Sequence, residues 1–318
     1  SSLELNEKRL CLSLALDLDE DSNLVNSHFV KTSIKTDQSF TYESADRIFS
    51  DTKHKLHKTF SKIEQFTRSH STKRGMQGAQ IFNKPDTMIK ISKDGNISVS
   101  ISSPESPSQK LISELMIVYN VKMAEFFSTN GIPALYRYQP SSQAILPKEK
   151  SELLNWYRAS KYMRPAKVSV DSDAHSGLGV ELYCQTTSPI RRFSDLCLQR
   201  QAIEYIDDGT HCYEKEDLSN IGFESEIRTK EIRQYESKRK KYWLLKYLSQ
   251  EFLDTKSPTP LNATVLENHP DRTAVIELTE YLIRGRCLLP QKYRPGSLCV
   301  LKLNGVDLWD QTAQFTLV

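Results

Sequence analysis

The sequence lacks the cysteine and histidine patterns of a metal site. Its six cysteines are scattered without a CxxC pair, and its seven histidines form no HExxH motif. This argues against a zinc site and indicates free thiols in a reducing compartment. We therefore expect an intracellular protein or a protein of an organelle matrix.

Long apolar runs and a strong charge imbalance are also missing. No stretch of about eighteen apolar residues occurs, which argues against a membrane span, and charged residues interrupt 3–10, where a signal peptide would lie. The net charge is only +3, so any affinity for nucleic acid must depend on where the charges lie. A chain of 318 residues is long enough for two domains, each with its own core.

The string TSPIRRFSDL is the most informative stretch of the chain. Ser188 can cap a helix, and Pro189 suits its first turn. Arg191 and Arg192 would then lie at the positive end of the helix dipole, which disfavours cations unless an anion compensates. Free N–H groups and two guanidinium groups suit a phosphate. The alternative is an i,i+4 ion pair between Arg191 and Asp195 on a solvated helix.

The first hundred residues predict a hairpin, two helices and short strands. Apolar residues alternate over 10–18, and 24–33 is the expected hairpin partner. Thr41 is the predicted N-cap of a short helix, and a second helix follows around 56–63. We interpret 69–78 as a loop, followed by strands at 80–82, 87–91 and 97–101.

Three further helices are predicted in the middle of the chain. One runs from its N-cap Ser106 to about Asn130, and its apolar residues nearly encircle it, so it should be buried. Glu114 lies on it and needs a partner, for which a salt bridge is the simplest candidate. The other two helices cover 149–162 and 215–252. The last carries a basic stretch that is either a solvated face or a contact for a nucleic-acid backbone.

The end of the chain predicts a small barrel. A change of composition at 254–258 marks a linker. Five short strands follow, which suit an OB barrel, a module that binds single-stranded nucleic acid; they are expected at 261–267, 273–278, 283–289, 298–303 and 311–318. Because aromatic residues are sparse there, we expect a guiding surface and not a tight base reader.

TSPIRRFSDL resembles the TSPIRRYxDL signature of the RNase II (RNB) family of exoribonucleases. Two further stretches are similar to family sequences, GIPALYR at 131–137 and HSGLG at 175–179. The resemblance covers nearly the whole chain and is that of the C-terminal half of such a protein, from the organellar or cyanobacterial branch. It implies an α+β fold: an RNB-type mixed sheet with packed helices over 1–253, a linker at 254–258, and an OB RNA-binding domain over 259–318.

The resemblance also implies an activity. Enzymes of this family thread single-stranded RNA, 3′ end first, into a channel and processively release nucleoside 5′-monophosphates with Mg²⁺. Arg191 corresponds to the arginine that supports hydrolysis at the scissile phosphate. Tyr42 and Phe82 match two aromatic residues that clamp bases, although each could also be a core residue. Glu114 matches a glutamate that holds ribose hydroxyls. The set expected to contact RNA is Tyr42, Phe82, Glu114, Arg192, Glu236 and Arg239.

The family's metal-binding pattern, DxxxxxDxDD, does not occur in the sequence. The resemblance places the Mg²⁺ ligands outside this segment, so no metal ligand is assigned here. Three alternatives remain: part of an exonuclease whose metal-binding half lies elsewhere, a catalytically inactive RNA-binding relative, or a scaffold subunit of an RNA-containing assembly. The corresponding partners are single-stranded RNA together with either the missing N-terminal half or an RNA helicase.

Overall fold

The structure is a computed structural model that describes residues 3–80, 86–101, 106–141, 151–253, 260–290 and 292–318. The helices in these ranges are α1 (Tyr42–Ser50), α2 (His57–Met76), α3 (Pro107–Thr129), α4 (Glu152–Tyr162), α5 (Phe193–Asp208) and α6 (Lys215–Phe252). The strands are β1 (Lys8–Leu18), β2 (Leu24–Lys35), β3 (Thr87–Ile91), β4 (Ile97–Ile101), β5 (Tyr136–Tyr138), β6 (Lys167–Ser169), β7 (Leu261–Asn268), β8 (Thr273–Leu278), β9 (Arg284–Leu288), β10 (Leu298–Asp307) and β11 (Thr312–Leu317).

The chain divides into two compact units. The first contains Ser1–Ile81, Glu105–Ser142 and Arg164–Arg228. The second contains Phe82–Pro104, Gln143–Met163 and Thr229–Val318. The predicted domain boundary at 254–258 stays a prediction, because the linker lies outside the described residues.

Local signals correctly predicted several elements of the first unit. β1 pairs antiparallel with β2, as the alternation over 10–18 indicates. Thr41 caps α1, since its side chain accepts a hydrogen bond from Ser44 N. Ser106 and Gln109 form a capping box at the start of α3. In the two helix caps a side chain satisfies a nearby backbone group, and the alternation of a strand is likewise a local pattern, so sequence alone is sufficient.

The predicted loop at 69–78 is wrong, because α2 continues to Met76. Serine, threonine and histidine in this segment are poor helix signals, but none of them prevents a helix. Lys73 and Arg74 lie in the last turn, where cations interact favourably with the helix dipole. Arg74 is also buried by tertiary contacts that the local sequence does not reveal.

The predicted start of the signature helix at Ser188 is also wrong. α5 begins at Phe193, and Arg192 occupies its N-cap position. Residues 188–192 form a turn in which the N–H groups of Arg191 and Arg192 donate to Ser188 O. The side chain of Asp195 accepts from Ser188 N at 2.9 Å, which holds the turn against the first turn of the helix. The hydrogen bond between Asp195 and Ser188 N outweighs the preference of a Ser-Pro pair for the start of a helix.

The core of the first unit forms around α3. Met123, Ala124 and Phe127 of α3 are fully buried, and Leu198 of α5 and Leu218 of α6 pack in the same cluster. The long buried helix predicted over 106–130 is therefore confirmed. Burying each large apolar side chain contributes roughly 1.5–3 kcal/mol, which makes α3 the main support of this unit.

The second unit contains the predicted barrel. Its five strands have the order β11-β10-β7-β8-β9, and β9 also contacts β11, which closes the barrel. Fully buried Ile276, Leu278 and Leu301 fill its interior. The α+β fold class with an OB-type barrel is thus confirmed. The predicted strand at 80–82 falls mainly outside the described residues, whereas β3 and β4 pair as expected.

All six cysteines are free thiols, as predicted. No helix within the described ranges is long and apolar enough to cross a membrane.

Candidate functional site

The segment before the arginine pair is anchored to the buried helix α3. Asn120 of α3 accepts hydrogen bonds at 3.0 Å from both Thr186 N and Thr186 Oγ1. Its amide nitrogen donates to the Tyr183 hydroxyl, also at 3.0 Å. Gln199 of α5 donates to Thr186 O at 2.7 Å. Because Asn120 and Thr186 are buried, these bonds hold the start of the TSPIRR segment in one position.

Arg192, and not Arg191, pairs with Asp195. The Nε and Nη2 atoms of Arg192 donate to Asp195 Oδ2 at 2.9 and 2.6 Å. Asp195 is fully buried, so the predicted solvated pair between Arg191 and Asp195 is wrong. Burial raises the pKa of Asp195 above its ordinary value, against the hydrogen bonds from Arg192 and Ser188 N. Asp195 therefore binds the guanidinium group of Arg192, and this contact positions the turn.

This pairing leaves Arg191 as the outward-facing guanidinium of the signature turn. Arg191 is exposed, and its Nη2 donates a long hydrogen bond of 3.5 Å to Ser188 Oγ. The neighbouring Ile190 and Phe193 are 72% and 58% exposed. The turn thus presents one cation beside apolar surface, while its backbone is held by Asp195. Such a group can donate two parallel hydrogen bonds to an anion.

Glu114 of α3 forms a buried ion pair with α2, and this pair is also bonded to the 175–179 loop. Arg74 of α2 donates from Nε to Glu114 Oε1 at 2.8 Å and from Nη2 to Oε2 at 2.5 Å. His70 Nδ1 lies 2.5 Å from Oε1. Arg74 Nη1 donates to Leu178 O at 2.6 Å, which ties the pair to the 175–179 loop. The salt bridge considered from the sequence is present, and the ribose contact stays a prediction.

The electrostatic balance at Glu114 favours the ionised form. Burial is the largest influence and raises the pKa of this carboxyl. The hydrogen bonds and charges of Arg74 and His70 outweigh it, so the pKa of Glu114 is lowered below its ordinary value. A carboxylate offers about four acceptor positions, and three are used here. Among the described residues, one position on Oε2 has no donor.

The HSGLG loop packs directly on the end of α2. Gly179 has φ +63°, and a Cβ built there would lie 2.5 Å from Arg74 O. The loop therefore requires glycine both for its backbone conformation and for close approach. Within it, His175 is buried, and its Nδ1 has no hydrogen-bond partner among the described residues. Burial, followed by the charge of Arg137, lowers the pKa of His175 to about 4, so this ring is neutral near pH 7.

Of the two aromatic residues predicted to clamp bases, the structure describes one. Tyr42 is the first residue of α1 and is 49% exposed, so it is not an ordinary core aromatic. Phe82 lies outside the described residues. No hydrogen bond or ion pair in the described part of the chain joins Arg191 to Glu114 or Tyr42.

Glu236 and Arg239 belong to the second unit. Both are exposed on α6, where they line a surface cleft of about 310 Å³ against β3. Trp243 and Lys240 complete the helix side of this cleft, and Lys240 pairs with Asp86. The cleft therefore combines an indole ring, a carboxylate and two basic side chains.

Among the residues that the structure describes, no three His, Cys, Asp or Glu side chains cluster closely enough to hold a metal ion. The carboxylates of Glu114 and Asp195 are instead engaged by Arg74 and Arg192, respectively. These residues do not fit a Mg²⁺ site.

Sequence reasoning missed the residues that hold this site together: His70, Arg74, Asn120, Thr186 and Asp195. A polar Asn120 on an otherwise apolar helix was the signal that could have been used, since a buried amide needs partners. The partners of Glu114 could not be found by periodicity, because Arg74 is 40 residues away in sequence.

The first unit is a mixed α/β unit that presents an arginine on an anchored turn, and the second unit contains a closed five-stranded barrel. The chain belongs to the RNB domain family, whose model matches residues 1–208. It is 26% identical over 313 residues to an uncharacterized ribonuclease of Synechocystis, an alignment covering 96% of this chain and 46% of that protein. It is also 26% identical over 295 residues to the chloroplastic/mitochondrial ribonuclease II of Arabidopsis thaliana, covering 88% of this chain and 35% of the relative.

Solved structures share the fold. Mycoplasma genitalium RNase R in complex with ribose-methylated single-stranded RNA matches with a TM-score of 0.81 and 16% identity, covering 100% of this chain and 59% of that one. An active-site mutant of the Dss1 exoribonuclease from Candida glabrata matches with a TM-score of 0.84 and 22% identity, covering 99% of this chain and 43% of that one. Yeast Ssd1, a pseudonuclease, matches with a TM-score of 0.69 and 18% identity, covering 96% of this chain and 43% of that one. This chain spans about half the length of the curated relatives that it matches.

Proposed function

We propose that this chain is part of a processive 3′–5′ exoribonuclease that degrades single-stranded RNA to nucleoside 5′-monophosphates. Membership of the RNB family and the ribonuclease names of its relatives support this class. The observation that carries the proposal is the solvent exposure of the Arg191 side chain. Its guanidinium is exposed on a turn in which Asp195 engages both Arg192 and Ser188 N.

Arg191 is proposed to stabilise the transition state at the scissile phosphate. Charge builds up on the phosphoryl oxygens during hydrolysis, and a preorganised guanidinium interacts with it more strongly than with the ground state. Preorganisation comes from Asp195, which holds both Arg192 and Ser188 N, and from Asn120, which holds Thr186. Little rearrangement of the turn is then needed during the reaction.

The family implies Mg²⁺, and the described residues supply no suitable ligand cluster. We therefore propose that aspartates outside this segment provide the metal site, and no catalytic step is assigned to the ion here.

The remaining candidates are proposed to guide RNA. Tyr42 offers an exposed ring for stacking, and Phe82 is assigned the same role from the family resemblance alone. Glu114 can accept one ribose hydroxyl through the free position on Oε2. Arg239 is proposed to contact the backbone and Glu236 the terminal nucleotide, whereas Arg192 acts mainly by positioning Arg191.

The direct test uses the full chain within its complete protein, 3′-labelled single-stranded RNA and Mg²⁺, with and without a chelator. We expect chelator-sensitive release of mononucleotides. Arg191→Ala should lower turnover by about 10²-fold or more while RNA binding changes little, because the group acts mainly on the transition state. Arg200→Ala is the matched control, since Arg200 is also exposed and bonds to the Tyr213 hydroxyl. If Arg191→Ala lowers RNA binding and turnover equally, Arg191 only binds a phosphate and does not stabilise the transition state.

A second candidate function is an inactive RNA-binding or scaffold subunit. The lack of a metal-ligand cluster among the described residues favours it, and Ssd1 is named as a pseudonuclease of similar fold. In this case the complete protein binds single-stranded RNA but releases no mononucleotides under any divalent-metal condition.

The compartment is proposed from the relatives, which include a cyanobacterial protein and a plant organellar protein. We propose a bacterial cytoplasm or the matrix of a mitochondrion or plastid. The missing N-terminal half or an RNA helicase remains the proposed protein partner. Co-purification from the native source, followed by mass spectrometry, distinguishes the two.

A further inference from the structure

The turn between β10 and β11 presents an indole ring to solvent. Trp309 is 96% exposed, the highest value among the large apolar side chains in the described part of the chain. The other two tryptophans, Trp156 and Trp243, are partly buried. A side chain of this size usually covers apolar surface or an interface, and Trp309 does neither within this chain.

The backbone that carries Trp309 is held firmly. Asp307 Oδ1 accepts hydrogen bonds from Trp309 N at 2.8 Å and from Asp310 N at 2.9 Å. Leu308 packs against the core of the barrel unit. The ring therefore projects from a fixed turn, so that binding through it would order few additional groups.

The same turn contacts the basic part of α6. Gln311 Nε2 donates to Lys238 O at 3.1 Å, which brings the turn beside the run Lys238–Lys241. Within this run Lys240 pairs with Asp86, whereas Lys238, Arg239 and Lys241 are exposed. The turn also carries two carboxylates, Asp307 and Asp310, and the first of these accepts hydrogen bonds from backbone N–H groups.

We propose that Trp309 is a stacking platform for one base of single-stranded RNA, whose phosphates contact Lys238, Arg239 and Lys241. An exposed ring on a turn next to a basic helix combines the two interactions by which single strands are held without sequence preference. The inference rests on the RNA binding proposed above. It goes beyond the guiding surface expected from the sequence, because the barrel turn itself contacts a base.

The test compares strands with and without bases. Fluorescein-labelled 20-nucleotide oligoadenylate and an abasic strand of equal length are titrated with the full chain in chelator, and fluorescence anisotropy gives the affinity. Trp309→Ala should weaken oligoadenylate binding by about 5- to 150-fold, the range for loss of one stacked base, and leave abasic binding unchanged. Trp309→Phe should restore most of the loss. Leu288→Ala, which removes another exposed apolar side chain, is the control and should have no effect.

Lysine substitutions test the backbone contacts separately. Lys238→Ala with Lys241→Ala should weaken both strands and reduce the salt dependence of binding. The proposal is overturned if Trp309→Ala leaves oligoadenylate affinity unchanged, as a protein-binding role would predict, or if it weakens the abasic strand equally, as a folding role would predict. Mononucleotide release is measured in parallel. If mononucleotides are released but Trp309→Ala does not change the affinity for oligoadenylate, this inference alone is rejected. If Trp309→Ala weakens oligoadenylate binding as expected but no mononucleotides are released, the exonuclease proposal alone is rejected.

Discussion

The buried pair of Glu114 and Arg74 predicts a large and specific loss of stability. Both residues are 5% exposed, and the two hydrogen bonds between them form a fork. In Glu114→Gln the carboxylate charge disappears, and Arg74 keeps its own charge in a buried position. Breaking a buried pair in this way costs about 3–5 kcal/mol, because one charge is left without compensation.

The measurement should report on the first unit, since the chain contains two compact units and need not unfold in one step. Urea unfolding followed by hydrogen exchange of peptides from α2 and α3 meets this need. Glu125→Gln is the control on the same helix. Its ion pair with Lys122 is partly exposed, with Glu125 44% and Lys122 24% exposed, so we expect a loss of less than about 1 kcal/mol.

A paired substitution separates burial of charge from loss of packing. Arg74→Met combined with Glu114→Leu removes both charges and keeps similar volume, which often restores stability. We expect the double variant to be more stable than Glu114→Gln. If Glu114→Gln costs less than about 1 kcal/mol, or if the double variant is the less stable of the two, the buried charge is not the source of the effect.

The same pair predicts a dependence on pH. The pKa of Glu114 in the folded protein lies below its ordinary value of 4.5. The stabilisation is therefore fully present above about pH 4.5 and is lost as the pH falls through the lower, folded-state value. Glu114→Gln should remove this part of the acid sensitivity. An unchanged slope of unfolding free energy between pH 5 and 3 in the variant would contradict the assignment.

Three further changes test the site. Tyr42→Ala should alter the length of the final undigested oligonucleotide, read on a sequencing gel, because a stacking ring is lost; unchanged products would assign Tyr42 a structural role. Asp195→Asn should destabilise the turn by about 1–3 kcal/mol and lower turnover more than RNA affinity, as seen in separate kcat and KM values; a change in KM alone would argue against positioning. Gly179→Ala should lower the melting temperature, since φ is +63° and the new Cβ would meet Arg74 O; an unchanged melting curve would show that the loop adapts.

The sequence by itself determined the features that depend on neighbours along the chain. Alternating leucines produced the hairpin of β1 and β2, and Ser106 with Gln109 began α3, because strand faces and capping boxes are local. The five strands of the barrel were recognised for the same reason. The TSPIRR string also identified the family from sequence alone, and the match over residues 1–208 confirms it.

Tertiary structure decided which charged groups remain available. Sequence could not show that Arg192 would be bound by a buried Asp195, that Arg191 would stay exposed, or that Arg74 would occupy Glu114 from 40 residues away. The sequence also placed the N-cap of α5 four residues too early, at Ser188 and not at Arg192, because the contact from Asp195 to Ser188 N competes with a local capping signal. The Arg74–Glu114 pair joins residues that are far apart in sequence, and the choice of Arg192 over Arg191 follows from the burial of Asp195, which the local pattern does not encode.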